Sequence, residues 1–281
     1  MDTHARPFRS VLYIPASKVR ALEKAQGLAT DAIIFDLEDA VAVEEKAAAR
    51  GMLADALAQD YGARFRIVRI NGLDTEWGRE DAAVVSGADA VLLPKVNSAA
   101  DVEALAALVG DMPIWAMMET PLGILNAGEI AAHKQLRGMV MGTNDLAKDL
   151  NCRFRADREP LITSLQMCLL AARAHGVVAV DGVYNAFKDD DGLRVECEQG
   201  RDMGFDGKTL IHPAQLAVAN EVFAPSEAEV DLARRQIAAF GEAEAVGQGV
   251  AVVDGKIVES LHIVTARQTL AKAKMIADLE G

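Results

Sequence analysis

The chain has 281 residues, 51% of them hydrophobic, enough for one large α/β domain or two smaller ones with a sizeable core. Its net charge of −13 argues against nucleic acid and anionic membrane as general partners, but leaves room for a local basic pocket that holds a phosphorylated ligand. Cys152, Cys168 and Cys197 are too few and too irregularly spaced for a disulfide frame or a zinc site, and neither an apolar signal core nor a membrane-length apolar run occurs, so a soluble cytoplasmic protein is expected.

Strand and helix signals alternate from the start. A strand is predicted over 11–14, then a helix to about 28 with Ser17 as its cap. A strand over 32–35 ends in Asp36-Leu37-Glu38-Asp39, and a helix follows over 44–58. The strand 65–70 carries Arg69 and leads through Asn71-Gly72 to a helix over 75–86. A strand over 90–93 ends at Pro94-Lys95 before a helix over 98–109. The strand 114–118 runs into Glu119-Thr120-Pro121, and the strand 139–141 into Gly142-Thr143-Asn144-Asp145. Residues 148–159 are polar and read as an irregular excursion, followed by a helix over 161–175. A strand over 177–180 ends at Asp181, a helix covers 191–203, and a strand over 208–211 ends at His212-Pro213. Eight strand-then-helix units with strands apolar on both faces are the signature of a (β/α)₈ barrel, the TIM barrel, over residues 1–224; a doubly wound sheet is the alternative.

The tail, 225–281, breaks this pattern. A helix over 226–245, a hairpin turning at Asp254-Gly255, and a helix over 262–279 form a helix-hairpin-helix appendage. Such a piece is expected to be too small for a core of its own and to pack on the barrel or on a neighbouring subunit as a lid.

Polar groups gather at the strand ends: Asp36, Glu38, Asp39, Arg69, Lys95, Glu119, Asp145, Asp181 and His212. In a barrel these points converge on one mouth. A single carboxylate there is as readily a helix cap, and His212 is equally a cap or a ligand contact. Glu119 and Asp145, on neighbouring strands, make an all-oxygen pair suited to magnesium or manganese. Arg69 lies inside an apolar strand, so it must be ion-paired, with Asp36 or Glu38, or face a cavity as a clamp for a carboxylate or oxyanion. Arg9, Lys18, Arg20 and Lys24 form a basic cluster about the first strand-helix turn, either a solvated face or a seat for ligand phosphates.

Arg9-Ser10-Val11-Leu12-Tyr13-Ile14-Pro15, Phe35-Asp36-Leu37-Glu38-Asp39, Val68-Arg69-Ile70-Asn71-Gly72, Leu93-Pro94-Lys95, Met118-Glu119-Thr120-Pro121-Leu122-Gly123, Gly142-Thr143-Asn144-Asp145 and Ile211-His212-Pro213 occur in this order. With these motifs the chain resembles the citrate lyase β-subunit-like (HpcH/HpaI aldolase/citrate lyase) family, which includes malyl-CoA and citramalyl-CoA lyases. The resemblance implies a (β/α)₈ barrel, magnesium, an acyl-CoA substrate and a homotrimer or hexamer. It implies Glu119 and Asp145 as metal ligands, with Asp36, Glu38 and Asp39 holding metal-bound water and Arg69 in place. Arg69 would bind the substrate's carbonyl oxygens. Tyr13, Lys18 and Lys24 would contact coenzyme A, and Asn144, Ile211 and His212 would line the substrate site. Family lyases carry an Asp on the hairpin that reaches a neighbouring subunit's site; here Glu259 stands in that place. The runs around Asn144 and Glu259 look most like the (3S)-malyl-CoA thioesterase branch, which hydrolyses malyl-CoA to malate and coenzyme A. The alternatives are carbon-carbon cleavage to acetyl-CoA and glyoxylate or pyruvate, or a citrate lyase subunit that works with an acyl-carrier partner.

Overall fold

Eight parallel strands close into a barrel in chain order: β1 (Ser10–Pro15), β2 (Ala32–Asp36), β3 (Phe65–Arg69), β4 (Ala90–Leu93), β5 (Ile114–Met118), β6 (Leu136–Met141), β7 (Val178–Asp181) and β8 (Gly207–Leu210). The computed structural model describes residues 6–280. The doubly wound alternative is excluded because β8 pairs with β1, Val11 lying opposite Thr209. A sheet closed on itself has no edge to protect, and its strands are buried on both faces for most of their length.

Two apolar layers follow from side-chain alternation. One set points into the barrel: Val11, Ile34, Ile67, Leu92, Trp115, Met117, Val140 and Val180 among them. The other points outward beneath the helices, where Leu12, Ile33, Phe35, Val68, Ala116 and Met139 meet Leu53, Leu105 and Leu165. Phe8, Phe65 and Trp115 pack edge to face and tilted at the N-terminal end of the barrel. Gly138 makes room for them, since a Cβ there would lie 2.1 Å from the Trp115 ring.

Three local expectations change. The first helix is Val19–Ala25, with Lys18 rather than Ser17 at its cap. The Lys18 N–H donates to the Pro15 carbonyl, a turn that leaves Ser17 outside the helix and its buried hydroxyl without a partner among the described residues. The helix expected over 75–86 is only Gly78–Ala82, because the Gly72 carbonyl takes both the N–H and the hydroxyl of Thr75 and ties the preceding residues into a turn. Arg9 does not join a basic surface: it is buried and bidentate on Asp31, at 2.8 and 3.0 Å.

The chain divides into two compact units, Phe8–Phe223 and a second formed by residues 224–280 with residues 6 and 7. In the second, Ser226 and Glu229 form a capping box on the helix Glu227–Ala245. Strands β9 (Ala251–Val253) and β10 (Lys256–Val258) make the hairpin, and the helix Ser260–Glu280 closes the chain. Asp254 and Gly255 both have positive φ, as a type I′ turn requires. This unit does have an apolar cluster of its own, correcting the expectation of none: Phe240, Ala243, Ala251, Val253, Val258 and Ile263 are buried together. Among the described residues no helix is long and apolar enough to cross a membrane.

Candidate active site

Alternation carries four polar side chains to the barrel interior at the C-terminal end. Tyr13 follows Val11, Asp36 follows Ile34, Arg69 follows Ile67 and Glu119 follows Met117, each two residues beyond an inward apolar one. They line one cavity of about 310 Å³, together with Asp39, Asn144, Asp145 and Ile211. Asn144 and Asp145 reach it from the first turn of the helix Thr143–Asp149, directly after β6.

Arg69 is held from below and from one side. Its Nε and Nη2 donate to the two oxygens of Asp36 at 2.7 and 2.6 Å, a fork-on-fork pair that fixes the guanidinium plane. Its Nη1 lies 2.9 Å from Glu38 and 3.6 Å from Asp39. Both sequence alternatives hold at once: Arg69 is ion-paired and faces the cavity. Burial opposes its charge, but Asp36, Tyr13 and Glu38 outweigh burial and push its pKa above the ordinary range. Asp36 also accepts the N–H groups of Glu38 and Ala40, at 2.9 and 3.1 Å, so its oxygens are committed to holding the arginine and the loop.

Glu119 differs. It is 2% exposed, and its Oε1 accepts the Lys95 N–H at 2.7 Å. No side-chain cation touches it among the described residues, since Lys95 sends its ammonium to Glu38 instead, at 2.6 Å. Burial, reinforced by Glu38, pushes Glu119 up to about 7, with Lys95 and Arg69 pulling the other way. Its second oxygen lies beneath Gly142, where a Cβ would stand 2.5 Å from it, so only glycine leaves that side open. A buried carboxylate with one oxygen unclaimed, next to Asp145 in the same cavity, fits a hard divalent cation held by two carboxylates and completed by water and ligand oxygens. No cluster of three or more His, Cys, Asp or Glu suited to a metal occurs among the described residues.

Other expected residues fall elsewhere. Glu38 stands just behind the cavity wall, between Arg69 and Lys95. Lys18 and Lys24 are exposed and do not line the cavity; Lys18 lies 3.4 Å from Glu45. His212 does not line it either: its Nδ1 accepts the Ala214 N–H, and its ring sits 4.5 Å from Phe187, so the capping alternative is the one realised. Glu259 lies in the second unit, exposed, its N–H donated to His262 at the start of the last helix. Asp181 is corrected. Val178 and Val180 point inward, so Asp181 points outward, where Arg158 and Lys208 bind it at 2.7 and 3.1 Å.

Four further residues support or line the site, and of these only Lys95 stands among the strand-end groups singled out from the sequence. Lys46 donates to the carbonyls of Leu37 and Glu38 and to Asn71, pinning the loop after β2. Lys95 holds Glu119 through a backbone with φ 52°. Only its position after Pro94 at a strand end hinted at this. Met117 and Thr209 line the cavity and were legible in principle by counting two residues from an inward neighbour.

The family described as HpcH/HpaI aldolase/citrate lyase matches residues 9–213. A (3S)-malyl-CoA thioesterase of Cereibacter sphaeroides is 72% identical over 280 residues, covering 99% of this chain and 98% of the relative. Citrate lyase subunit beta of Leuconostoc mesenteroides subsp. cremoris is 36% identical, covering 97% and 96%. The crystal structure of CitE from Mycobacterium tuberculosis, in complex with magnesium, acetoacetate and coenzyme A, superposes with a TM-score of 0.81 at 33% identity. It covers 96% of this chain and 99% of that one.

Proposed function

The chain belongs to the HpcH/HpaI aldolase/citrate lyase family, and from that premise we propose that it is a magnesium-dependent hydrolase of (3S)-malyl-CoA, releasing malate and coenzyme A. The observation that carries this reading is the 72% identity, across nearly the whole chain, to a (3S)-malyl-CoA thioesterase. The cavity supports it chemically. Glu119 and Asp145 would hold the magnesium, which when bound supplies positive charge to the hydroxyl and carboxylate oxygens of the malyl group. Arg69 presents its guanidinium to the thioester oxygen as negative charge gathers there. Asp36 and Glu38 keep Arg69 charged and oriented. Asn144 and Ile211 bound the acyl end of the cavity. Asp39, at the cavity rim and only 3.6 Å from Arg69, is a barrel carboxylate free to take a proton from the attacking water.

Exposed Lys18 and Lys24 would meet the phosphates of coenzyme A outside the cavity. We assign residues 225–281 as a lid that covers a neighbouring subunit's site in a homotrimer or hexamer, with Glu259 entering that site as acid or base. The exposed apolar side chains Val252, Ile257, Leu261 and Val264 on this unit support an interface there. All three cysteines are free, in keeping with a reducing cytoplasm.

A second reading is carbon-carbon cleavage of the same ligand, favoured by the 36% identity to a citrate lyase subunit. One assay separates the two: purified protein with malyl-CoA and magnesium, all products identified. Malate and free thiol without glyoxylate are expected. Acetyl-CoA with glyoxylate would establish the lyase, and inactivity on free coenzyme A esters would point to a carrier-dependent subunit. Glu259→Ala in the same assay is expected to lower kcat more than coenzyme A binding; an unchanged kcat would remove Glu259 from the chemistry.

A further inference from the structure

Tyr13 sits on the cavity wall in a setting unlike that of a passive ligand contact. Its ring lies against the Arg69 guanidinium, 4.9 Å from centroid to guanidinium carbon. Among the described residues its hydroxyl has a single partner, the Met117 sulfur at 3.4 Å. A thioether is a weak acceptor, so the phenol proton is held in place yet little committed. The hydroxyl therefore points from the Arg69 side of the cavity toward β5, the strand that leads directly into Glu119. Arg69, meanwhile, is not a free clamp: two of its five N–H bonds are spent on Asp36, and its Nη1 is drawn toward Glu38 and Asp39.

We propose that Tyr13 is a catalytic hydrogen-bond donor, its phenol O–H holding the thioester oxygen beside Arg69 as negative charge develops on it. The inference rests on the hydrolytic reading above. In that step the oxygen of water bonds to the thioester carbon and the carbonyl π pair moves onto oxygen. On collapse the C–S bond breaks, and the sulfur leaves as thiolate and takes up the proton released by the water. The remaining water proton leaves as the malic acid product ionises. The phenol keeps its own proton throughout. Burial, with Asp36, Glu119 and Glu38 adding to it against Arg69, pushes the phenol's pKa well up, so it stays a donor across the working pH range. Such a donor acts mainly on the transition state, whereas a coenzyme A contact acts on binding.

Tyr13→Phe removes the one hydroxyl and keeps the ring under Arg69. It should lower kcat for malyl-CoA hydrolysis about a hundred- to a thousandfold, the range for loss of an oxyanion donor. KM should stay within about twofold, with an unchanged melting temperature. Replacing Tyr13 with 3,5-difluorotyrosine keeps the shape but makes the phenol lose its proton at lower pH, so kcat should fall on the alkaline side at a pH where the unaltered enzyme, its phenol still protonated, keeps its rate. That arm decides the matter if the Phe variant does not fold. A kcat within threefold of the unaltered enzyme, or an unmoved alkaline limb, overturns the inference alone. So does a raised KM with kcat retained, which assigns Tyr13 to coenzyme A. Absence of hydrolysis by the unaltered enzyme overturns the hydrolytic reading and this inference together.

Discussion

Two ionic clusters lie at the C-terminal end of the barrel strands, on opposite faces of the sheet, each built around buried carboxylates. Inside stand Asp36, Glu38, Arg69, Lys95 and Glu119; outside, between β7, β8 and the helix Asp190–Met203, stand Asp181, Arg158, Lys208 and Glu196. In the outer cluster every charge is answered. Asp181 and Lys208 are both 0% exposed, and although burial pushes Asp181 upward, Lys208 and Arg158 hold its pKa below the usual carboxylate range. In the inner cluster Glu119 is left over, and its pKa rises. A closed network of this kind holds elements together, and one with an uncompensated carboxylate facing a cavity is prepared for a ligand.

The comparison breaks first on activity. Glu119→Gln or Asp145→Asn should cut magnesium-dependent turnover at least about a thousandfold, while thermal unfolding stays cooperative and close to that of the parent. Full activity in EDTA, or in either variant, would defeat the metal assignment. Lys208→Met should do the opposite. It leaves Asp181 and Glu196 short of a buried cation, at a cost of about 3–5 kcal/mol in urea unfolding, while the folded protein keeps its kcat. A fall in kcat with unchanged stability would move the outer cluster into the chemistry and erase the distinction.

The sequence located the inner cluster better than the outer for a physical reason. Asp36, Arg69 and Glu119 each end or follow an apolar run, and a charge in that position must be paired or line a cavity. Asp181 ends such a run too, but residues 177–180 are apolar on both faces, so nothing in the run says which way the carboxylate turns. Its partner Arg158 lies in the excursion after the helix Thr143–Asp149, read only as polar. Arg9 was misjudged similarly: its partner Asp31 is 22 residues away, and a surface cluster and a buried pair look alike until the strands close. Lys46 and Lys95 act through backbone groups of other loops, contacts that no spacing encodes.

A finer cut uses proton linkage. Glu119 binds its proton more tightly in the folded protein, at about 7 against the usual 4.5, so the folded state holds a proton that the unfolded state releases first. Stability should therefore fall as pH rises through that window, by on the order of 3 kcal/mol for the metal-free protein. Asp181, with its pKa lowered, runs the other way: it adds stability above the ordinary aspartate range, lost only in stronger acid. Urea unfolding at pH 5 and pH 8 should show the fall in the parent, and a smaller one in Glu119→Gln or with saturating magnesium. An equal fall in all three would place the titrating group elsewhere.

The smallest expected effect lies outside both clusters. Lys18 and Lys24 are exposed, so each charge is screened, and their loss cannot resemble that of Glu119 or Lys208. Lys18→Ala and Lys24→Ala should each raise KM for the coenzyme A ester about three- to tenfold, an effect that shrinks as salt is added. Stability should not change, since among the described residues the Lys18 ammonium meets only Glu45 at 3.4 Å, in an exposed pair. A malyl-pantetheine ester lacks the nucleotide phosphates, so its KM should hardly move. If both esters weaken equally, the lysines act through the first helix and its turn, not through phosphate. If neither weakens, the nucleotide is held somewhere other than this basic edge, and the inner cluster recognises only the acyl end of the ligand.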